Sequence, residues 1–191
     1  MYFRVGLSTE GMRFNDAKCS PDGTLFAGYM HTKWREGNRG RVYMINNILN
    51  CEQVLEAKQI HLPNGSAWSG PAKSTINELY LVDSGANVIY RFLSVEKDGK
   101  KSLIGRRPIF TLSPESVQAG HMLDGMTIDN EGMLWIAVSG GGMLIHVDPK
   151  KGEVLSRLKV PSLKPTSCTF GGPELDEIYI TTRNEDVVRT T

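Results

Sequence analysis

The chain has 191 residues, of which 40% are hydrophobic and 23% are charged, and its net charge at pH 7 is +1. This composition is typical of a soluble globular protein and excludes a disordered chain. Because 22 basic residues are balanced by 21 acidic ones, no basic surface is expected for nucleic acid or for an anionic membrane.

Targeting and cysteine signals are sparse. No run of about 18 apolar residues would span a membrane, and the start, "MYFRVGLSTEGM", lacks the apolar core of a signal peptide. The three cysteines show no CxxC spacing, which argues against a disulfide framework and a thiolate zinc site. We therefore expect a cytoplasmic protein with no membrane partner.

Short β-rich runs follow one another along the chain. In order they are "TLFAGYM", "RVYMIN", "ELYLVD", "NVIYRFL", "MLWIAV", "MLIHVD" and "EIYITT". Each has the β-branched and aromatic content of a strand and is bounded by turn residues such as "SPDG", "NEG" and "DPKKG". Residues 41–58 have loose helical spacing but are expected to form the outer strands of a sheet. The chain is thus predicted to be all-β.

A repeat places these runs in larger units. Four stretches, opening at Asn15, Asn64, Asp124 and Thr166, each read as a small polar residue, a short strand, a Gly/Pro turn and an apolar strand. The openings lie roughly 40 to 60 residues apart, close to the repeat length of a β-propeller blade. About four blades are therefore predicted, within a single domain over residues 1–191.

The openings themselves suggest a site. The first strand of a propeller blade lines the central channel, so Asn15, Asn64 and Asp124 would converge there from three blades. Oxygen-bearing side chains in such a ring are the ligands of hard cations. The alternative is that these residues only start strands and close turns, as Asn and Asp commonly do.

Four motifs resemble one known family in register. "RFNDAKCSPDGTLFAGYM", "LPNGSAWS", "LDGMTIDNEGMLWIAVSGGGMLIHVDPKKG" and "TSCTFGGPELDEIYITT" are similar to successive segments of the SMP-30/gluconolactonase family, which includes regucalcin. The resemblance covers nearly all of residues 13–183. It implies a six-bladed propeller that holds one divalent cation, Ca²⁺ or Zn²⁺ or else Mn²⁺ or Mg²⁺, and hydrolyses sugar lactones.

The resemblance also implies roles for individual residues. Asn64 and Asp124 would be metal ligands, and Asp124 would also be the catalytic acid/base. Arg13, Asn15 and Asp16 would bind the lactone. A cation polarises a carbonyl, a nearby carboxylate moves a proton, and a guanidinium offers fixed donors to sugar oxygens.

Two departures from the family pattern keep a second function open. The family's first metal ligand is a Glu near the start of its chain, and Glu10 lacks the strand context of that ligand. About four blades of six are represented here. The alternative function is therefore a truncated, non-catalytic propeller that binds calcium or interacts with other proteins. The oligomeric state is not indicated by the sequence.

Two pairs of residues are expected to be structural. Cys19 and Cys168 fall on inner-strand positions and should pack as small apolar residues. Trp68 and Trp135 should lie in the core between blades, although stacking against a sugar is the open alternative for both.

Overall fold

The computed structural model describes residues 10–47, 50–55, 58–70 and 76–183. The chain divides into two compact units, unit 1 (Met1–Thr111) and unit 2 (Leu112–Thr191). Antiparallel strands dominate both units, and within each sheet every strand pairs with its neighbour in the sequence. The prediction of an all-β chain is confirmed.

Unit 1 contains two four-stranded sheets. The first sheet consists of β1 (Met12–Cys19), β2 (Leu25–His31), β3 (Arg41–Asn47) and β4 (Asn50–Leu55). The second consists of β5 (Pro63–Ser69), β6 (Ile76–Asp83), β7 (Val88–Lys97) and β8 (Lys100–Thr111). A single 3₁₀ turn, Trp34–Glu36, lies between β2 and β3. The loosely helical stretch 41–58 thus supplies strands, as expected.

Unit 2 contains one four-stranded and one two-stranded sheet among the described residues. The larger sheet consists of β9 (Met122–Ile128), β10 (Leu134–Ser139), β11 (Met143–Asp148) and β12 (Glu153–Lys159). The smaller consists of β13 (Pro165–Gly171) and β14 (Glu177–Thr182). One short helix, α1 (Pro114–Gln118), precedes β9, and the Ser113 side chain caps it by accepting a hydrogen bond from the Ser116 amide.

The turns between strands follow from local sequence. At the β7–β8 hairpin, Lys97 pairs with Lys100 across a two-residue loop. Both loop residues, Asp98 and Gly99, have positive φ, 52° and 73°. Those angles define the mirror-image turn that matches strand twist, and Asp-Gly is among its preferred sequences. The charged stretch 96–107 is therefore a hairpin.

The core of unit 1 lies between its two sheets. The Phe26 ring from β2 packs 4.7 Å from the Trp68 ring of β5, centroid to centroid. The buried cluster around them draws on β2 to β8 and comprises Phe26, Val42, Met44, Leu55, Ile60, Trp68, Leu79, Leu81, Phe92 and Leu103. Burial of each large side chain stabilises the unit by about 1.5–3 kcal/mol relative to exposure. The expectation that Trp68 belongs to the core between blades is confirmed.

A buried cluster of unit 2 joins β10, β11 and β13. Ala137, Leu144 and Cys168 are buried together, and Trp135 packs against them from the side. The Trp135 ring also meets Phe170 of the neighbouring sheet edge to face, at 6.2 Å. Both Cys168 and Trp135 therefore pack between sheets as expected.

The expectation for Cys19 is wrong, because this cysteine is exposed. It ends β1 opposite Leu25, and it shares a strand face with Ala17, which is also exposed. Among the described residues, no element covers that face. The Cys19 side chain therefore lies outside the core.

Each unit places the first strands of its two sheets side by side: β1 lies against β5 in unit 1, and β9 lies against β13 in unit 2. Adjacent first strands in successive antiparallel meanders are the arrangement of propeller blades. The predicted fold class is confirmed, whereas a single domain over residues 1–191 stays a prediction. No helix within the described parts of the chain has the length and apolar character to cross a membrane.

Candidate functional site

In the four described sheets every first strand carries one extra residue, and the predicted site residues other than Arg13 lie at these irregularities. In β1 the residues Asn15 and Asp16 stand opposite a single residue of β2, because Phe14 pairs with Tyr29 and Ala17 with Ala27. Such a β-bulge bends the strand and re-aims a side chain, and bulges are over-represented beside active sites. The polar residue that opens this blade therefore lies at a geometric irregularity of its strand.

The same bulge recurs in the other sheets. In β5 it contains Asn64 and Gly65, since Pro63 pairs with Asp83 and Ser66 with Leu81. In β9 it contains Asp124 and Gly125, between the pairs Leu123–Val138 and Met126–Ile136. In β13 the extra residue falls at Thr166, between the pairs Pro165–Thr182 and Ser167–Thr181. Asn15, Asn64, Asp124 and Thr166 thus hold equivalent positions in their sheets.

In unit 1 the bulge of β1 is linked to β5 by a hydrogen bond. The Asn15 Nδ2 donates to the Pro63 carbonyl at 3.1 Å, and the Asn15 Oδ1 accepts from the Arg13 guanidinium at 3.1 Å. Pro63 immediately precedes Asn64, so the predicted substrate residues and the predicted metal ligand of this unit are neighbours. Arg13 is exposed and Nη1 also donates to the Phe14 carbonyl at 2.9 Å.

The sheets approach closely at this point. A Cβ atom on Gly28, which stands opposite the β1 bulge, would lie 3.0 Å from the Cβ of Pro63 and 3.2 Å from its carbonyl oxygen. Contacts below about 3.4 Å force a neighbour to move. A glycine in this position therefore lets the start of β5 sit against β2.

Asp16 is a half-buried carboxylate in the same bulge. Its Oδ1 accepts a hydrogen bond from the Ala17 amide at 2.6 Å. Burial raises the pKa of Asp16, and this effect outweighs the lowering by the Ala17 amide and the Lys18 charge. A desolvated carboxylate in a strand irregularity is costly to keep ionised, and such groups cluster at functional sites.

Asn64 is buried on β5, with 9% of its surface exposed. Its Nδ2 donates to the Ser84 hydroxyl at 3.0 Å, and Ser84 is 1% exposed. Since the amide nitrogen is used by this bond, the carbonyl oxygen is the atom of Asn64 suited to a cation. Ser84, which follows β6, was not a sequence-predicted site residue.

A buried carboxylate holds the segments on either side of the Asn64–Ser84 pair. Asp83 is 2% exposed. Its Oδ2 accepts from the His61 amide at 2.9 Å, and its Oδ1 accepts from Leu62 at 2.9 Å, from Gly85 at 3.2 Å and from Ala86 at 3.4 Å. Hydrogen bonds of this kind to a carboxylate are shorter and stronger than those between neutral groups. Asp83 therefore ties the approach to β5 to the turn after β6.

In unit 2 the predicted acid/base, Asp124, lies half-buried at the β9 bulge. Its neighbour Gly125 is buried against β13: an added Cβ would lie 2.2 Å from the Ser167 hydroxyl oxygen and 2.6 Å from the Ser167 Cα. The close approach of the two first strands at the bulge requires the absence of a side chain at Gly125. Its sequence neighbour Asp124 is thereby fixed beside β13.

Thr166 lies at the β13 bulge. The sequence repeat predicted it as the opening residue of its unit, but without a functional role. Its hydroxyl lies 2.9 Å from the Thr181 hydroxyl of β14, a hydrogen bond in which either can donate. The repeat alignment already marked it as the small polar residue that opens its unit. The fourth blade therefore offers a hydroxyl where the others offer an amide or a carboxylate.

A second polar cluster lies at the other end of β9. The Asp129 carboxylate accepts hydrogen bonds from the amides of Glu131 (3.0 Å) and Met133 (2.8 Å), from the Trp135 indole (2.9 Å) and from the His146 ring (3.1 Å). Burial raises the pKa of Asp129, but the hydrogen bonds from Trp135, Met133, His146 and Glu131 together lower it by more. Four donors use this carboxylate, which gives it a structural role in closing the β9–β10 turn.

A cavity of about 550 Å³ opens beside this cluster, within unit 2. It is lined by Thr127, Ile128, Asp129, Asn130, Glu131, Trp135, His146, Thr169, Phe170 and Leu175. The Trp135 and His146 rings stack in its wall with centroids 4.2 Å apart. Trp135, for which sugar stacking was the open alternative, lines this cavity, whereas the predicted catalytic, substrate and metal residues do not.

The side-chain atoms that the bulge residues can offer to a metal ion are all oxygens. No cluster of three or more His, Cys, Asp or Glu side chains that could hold a metal ion occurs in the described ranges, and Glu10 is exposed before β1. The two predicted metal ligands belong to different units, and they offer an amide oxygen (Asn64) and a carboxylate (Asp124). Such ligands fit a hard cation such as Ca²⁺, Mg²⁺ or Mn²⁺ better than Zn²⁺, which binds nitrogen and sulfur ligands well.

Antiparallel meanders whose first strands meet, each with a bulged polar residue, define a β-propeller with a candidate site on its first strands. The chain belongs to the SMP-30/gluconolactonase/LRE-like family, whose model matches residues 2–184. It is 36% identical over 173 residues to regucalcin of Sus scrofa, covering 88% of this chain and 54% of that protein. It is 34% identical over 178 residues to a Bacillus subtilis (strain 168) protein provisionally named sugar lactone lactonase YvrE, covering 93% and 56%.

Solved structures agree with this assignment. A luciferin-regenerating enzyme superposes with a TM-score of 0.79 at 31% identity, over 95% of this chain and 58% of that one. Regucalcin from Agrobacterium tumefaciens strain C58, described as a calcium-binding protein, gives a TM-score of 0.75 at 25% identity, over 93% and 55%. The chain therefore spans a little over half the length of the proteins it matches.

Proposed function

We propose that this chain carries the cation- and substrate-binding residues of a sugar lactone hydrolase. The observation that carries the proposal is the equivalent placement of Asn15, Asn64 and Asp124 at the bulges of three first strands. The membership of the gluconolactonase family supports the lactone as the substrate class.

The residues divide the work by chemistry. Arg13 is an exposed guanidinium bonded to the Asn15 amide oxygen, so it provides oriented N–H donors for the hydroxyl or carboxylate oxygens of a sugar acid. Asn64 in unit 1 and Asp124 in unit 2 each offer an oxygen suited to a cation. When bound, the cation polarises the lactone carbonyl.

Asp124 is the group proposed to move the proton. A carboxylate can accept a proton from the attacking water and return it to the ring oxygen that leaves when the ester bond breaks. The product is the open sugar acid, which differs from the lactone by one water. The attacking water supplies the new bond to the carbonyl carbon, so no residue of the chain bonds covalently to the substrate in this mechanism.

The test is hydrolysis of glucono-δ-lactone in the presence of Ca²⁺, Mg²⁺, Mn²⁺ or Zn²⁺. The rate is measured as the release of acid. In Asp124→Asn we expect a loss of at least about 10²-fold in kcat/KM, the usual contribution of a general acid/base. The control is Asp176→Asn, an exposed acid in the β13–β14 turn, which should keep wild-type activity. Full activity in Asp124→Asn would rule out the proposed role.

A second candidate function is cation binding without hydrolysis. It is favoured by the similarity to a regucalcin described as a calcium-binding protein. The same variants separate the two functions. If the wild type binds Ca²⁺ and loses that binding in Asp124→Asn, yet hydrolyses no lactone, the chain is a cation-binding protein.

A further inference from the structure

The Asn64 side chain has two ends of almost the same shape and opposite polarity. Its carbonyl oxygen can serve a cation or a substrate hydroxyl, whereas its NH₂ group would repel a cation. A half-turn of the amide exchanges the two ends, and only the hydrogen bonds around it decide which end faces which way. The function of Asn64 therefore depends on a partner that holds the amide in place.

Ser84 is the buried hydrogen-bond partner of this amide. Its hydroxyl oxygen lies 3.0 Å from Asn64 Nδ2, and both residues are buried, at 1% and 9% exposure. With the N–H group bonded to this hydroxyl, the Asn64 carbonyl oxygen is left for a ligand. Because both residues are withdrawn from water, solvent compensates poorly for a broken bond.

Ser84 is itself held from both sides. Its amide donates to the Leu62 carbonyl at 3.0 Å, two residues before Asn64. Asp83, the preceding residue, binds the amides of His61 and Leu62 and that of Gly85. The hydroxyl and the amide that it orients are thus fixed to the same short stretch of chain.

We propose that Ser84 is a positioning residue of the bulge site: its hydroxyl anchors the buried Asn64 amide, whose carbonyl oxygen then serves the ligand, and Asp83 holds Ser84 in place. The identity of the ligand rests on the proposed function, whereas the anchoring of the amide does not. Outer residues that orient a metal ligand commonly change metal affinity by about 10–100-fold when they are replaced.

The experiment compares Ser84→Ala and Ser84→Thr with the wild type. Ser94→Ala is the control, because Ser94 is a buried serine on β7 of the same unit. We expect Ca²⁺ affinity, measured by calorimetry, to fall about 10–100-fold in Ser84→Ala. Affinity should be restored in Ser84→Thr, which keeps a hydroxyl, and should be unchanged in Ser94→Ala. Equal Ca²⁺ affinity in Ser84→Ala and the wild type would overturn the inference.

A second measurement does not depend on ligand binding. The side-chain amide signals of Asn64, assigned by their loss in Asn64→Asp, report exchange with water by ¹⁵N NMR. Exchange should be slow in the wild type and in Ser84→Thr, and about tenfold faster in Ser84→Ala for the loss of one hydrogen bond. If the wild type binds no cation, the proposed function fails, and unchanged exchange in Ser84→Ala then overturns the inference as well.

A further variant covers a folding defect. If Ser84→Ala does not fold, Ser84→Cys takes its place, since a thiol has a similar shape and is a weak acceptor. Faster Asn64 exchange in Ser84→Cys than in Ser84→Thr supports the role of the hydroxyl. Identical exchange in these two variants contradicts it.

Discussion

Replacing Asp83 by Asn should destabilise unit 1 far more than the isosteric change suggests. Both carboxylate oxygens of Asp83 accept backbone hydrogen bonds: Oδ2 from His61, and Oδ1 from Leu62, Gly85 and Ala86. An asparagine can keep its oxygen on one side only. Its NH₂ group then faces an N–H donor, most directly that of His61, at the former position of Oδ2.

The magnitude follows from the bonds that are lost. A hydrogen bond to a charged group contributes about 1.5–3 kcal/mol, and a buried donor left without a partner costs about 1–3 kcal/mol. Asp83 is 2% exposed, so water does not replace the lost acceptor. We therefore expect Asp83→Asn to lower the free energy of unfolding by about 3–5 kcal/mol, a large share of the 5–15 kcal/mol typical of a domain.

The matched control is Asp148→Asn at the end of β11. Asp148 is similarly buried, at 8% exposure, but its two backbone hydrogen bonds, from Lys150 and Lys151, both reach Oδ1. An asparagine can keep its oxygen there, so the loss should stay below about 1.5 kcal/mol. Urea unfolding at pH 7 followed by circular dichroism measures both variants. A loss in Asp83→Asn no greater than that in Asp148→Asn would refute the reasoning.

Three further predictions concern packing and charge. Gly125→Ala should destabilise unit 2 by about 3 kcal/mol or more, because the added Cβ would overlap Ser167. Thermal unfolding measures this loss, and adding Ser167→Gly to the same chain should recover part of it. Lys101→Met should lower the free energy of unfolding by about 0.2–1 kcal/mol at pH 7. Burial raises the pKa of Asp22, but hydrogen bonds led by that from Lys101 lower it by more. The stability that Asp22 contributes is therefore present above its unfolded pKa of about 3.9, and the difference between the variant and the wild type should shrink as the pH falls below that value. Asp16→Asn should raise stability at pH 7, because burial raises the pKa of Asp16 and makes its charge unfavourable; urea titrations should show that the gain disappears below about pH 4, where the unfolded chain is also protonated.

The strands were predictable because each apolar run is bounded by turn residues. "MLWIAV" and "MLIHVD" lie within or around β10 and β11 because their residues pack between neighbouring sheets. The helix α1 was not predicted, since five residues are too few for helical periodicity. Its signal was local: Ser113 is a favoured N-cap, and Pro114 suits the first helical turn.

For the candidate site, the sequence indicated the positions of the residues but not their geometry. Repeat phasing identified Asn15, Asn64 and Asp124, but a bulge inserts one residue without a sequence mark, so the equivalence of their strand positions required the structure. Ser84 lies 20 residues from Asn64 in sequence. Its contact depends on the register of β5 against β6, which the turn length between them does not fix.

In each blade the bulge separates the residue at the candidate site from the residues that build the core. In a regular strand the side chains alternate between the two faces of the sheet. A side chain that faces a ligand therefore belongs to the same alternation that builds the core, so moving it along the strand also moves the core residues. An extra residue falls outside that alternation, and Asn, Asp and Thr all occupy it here while the flanking pairs keep their register. The residue at the bulge of a first strand can therefore differ from blade to blade without a change in strand register. Because this position accepts an amide, a carboxylate or a hydroxyl, its chemistry is independent of the fold.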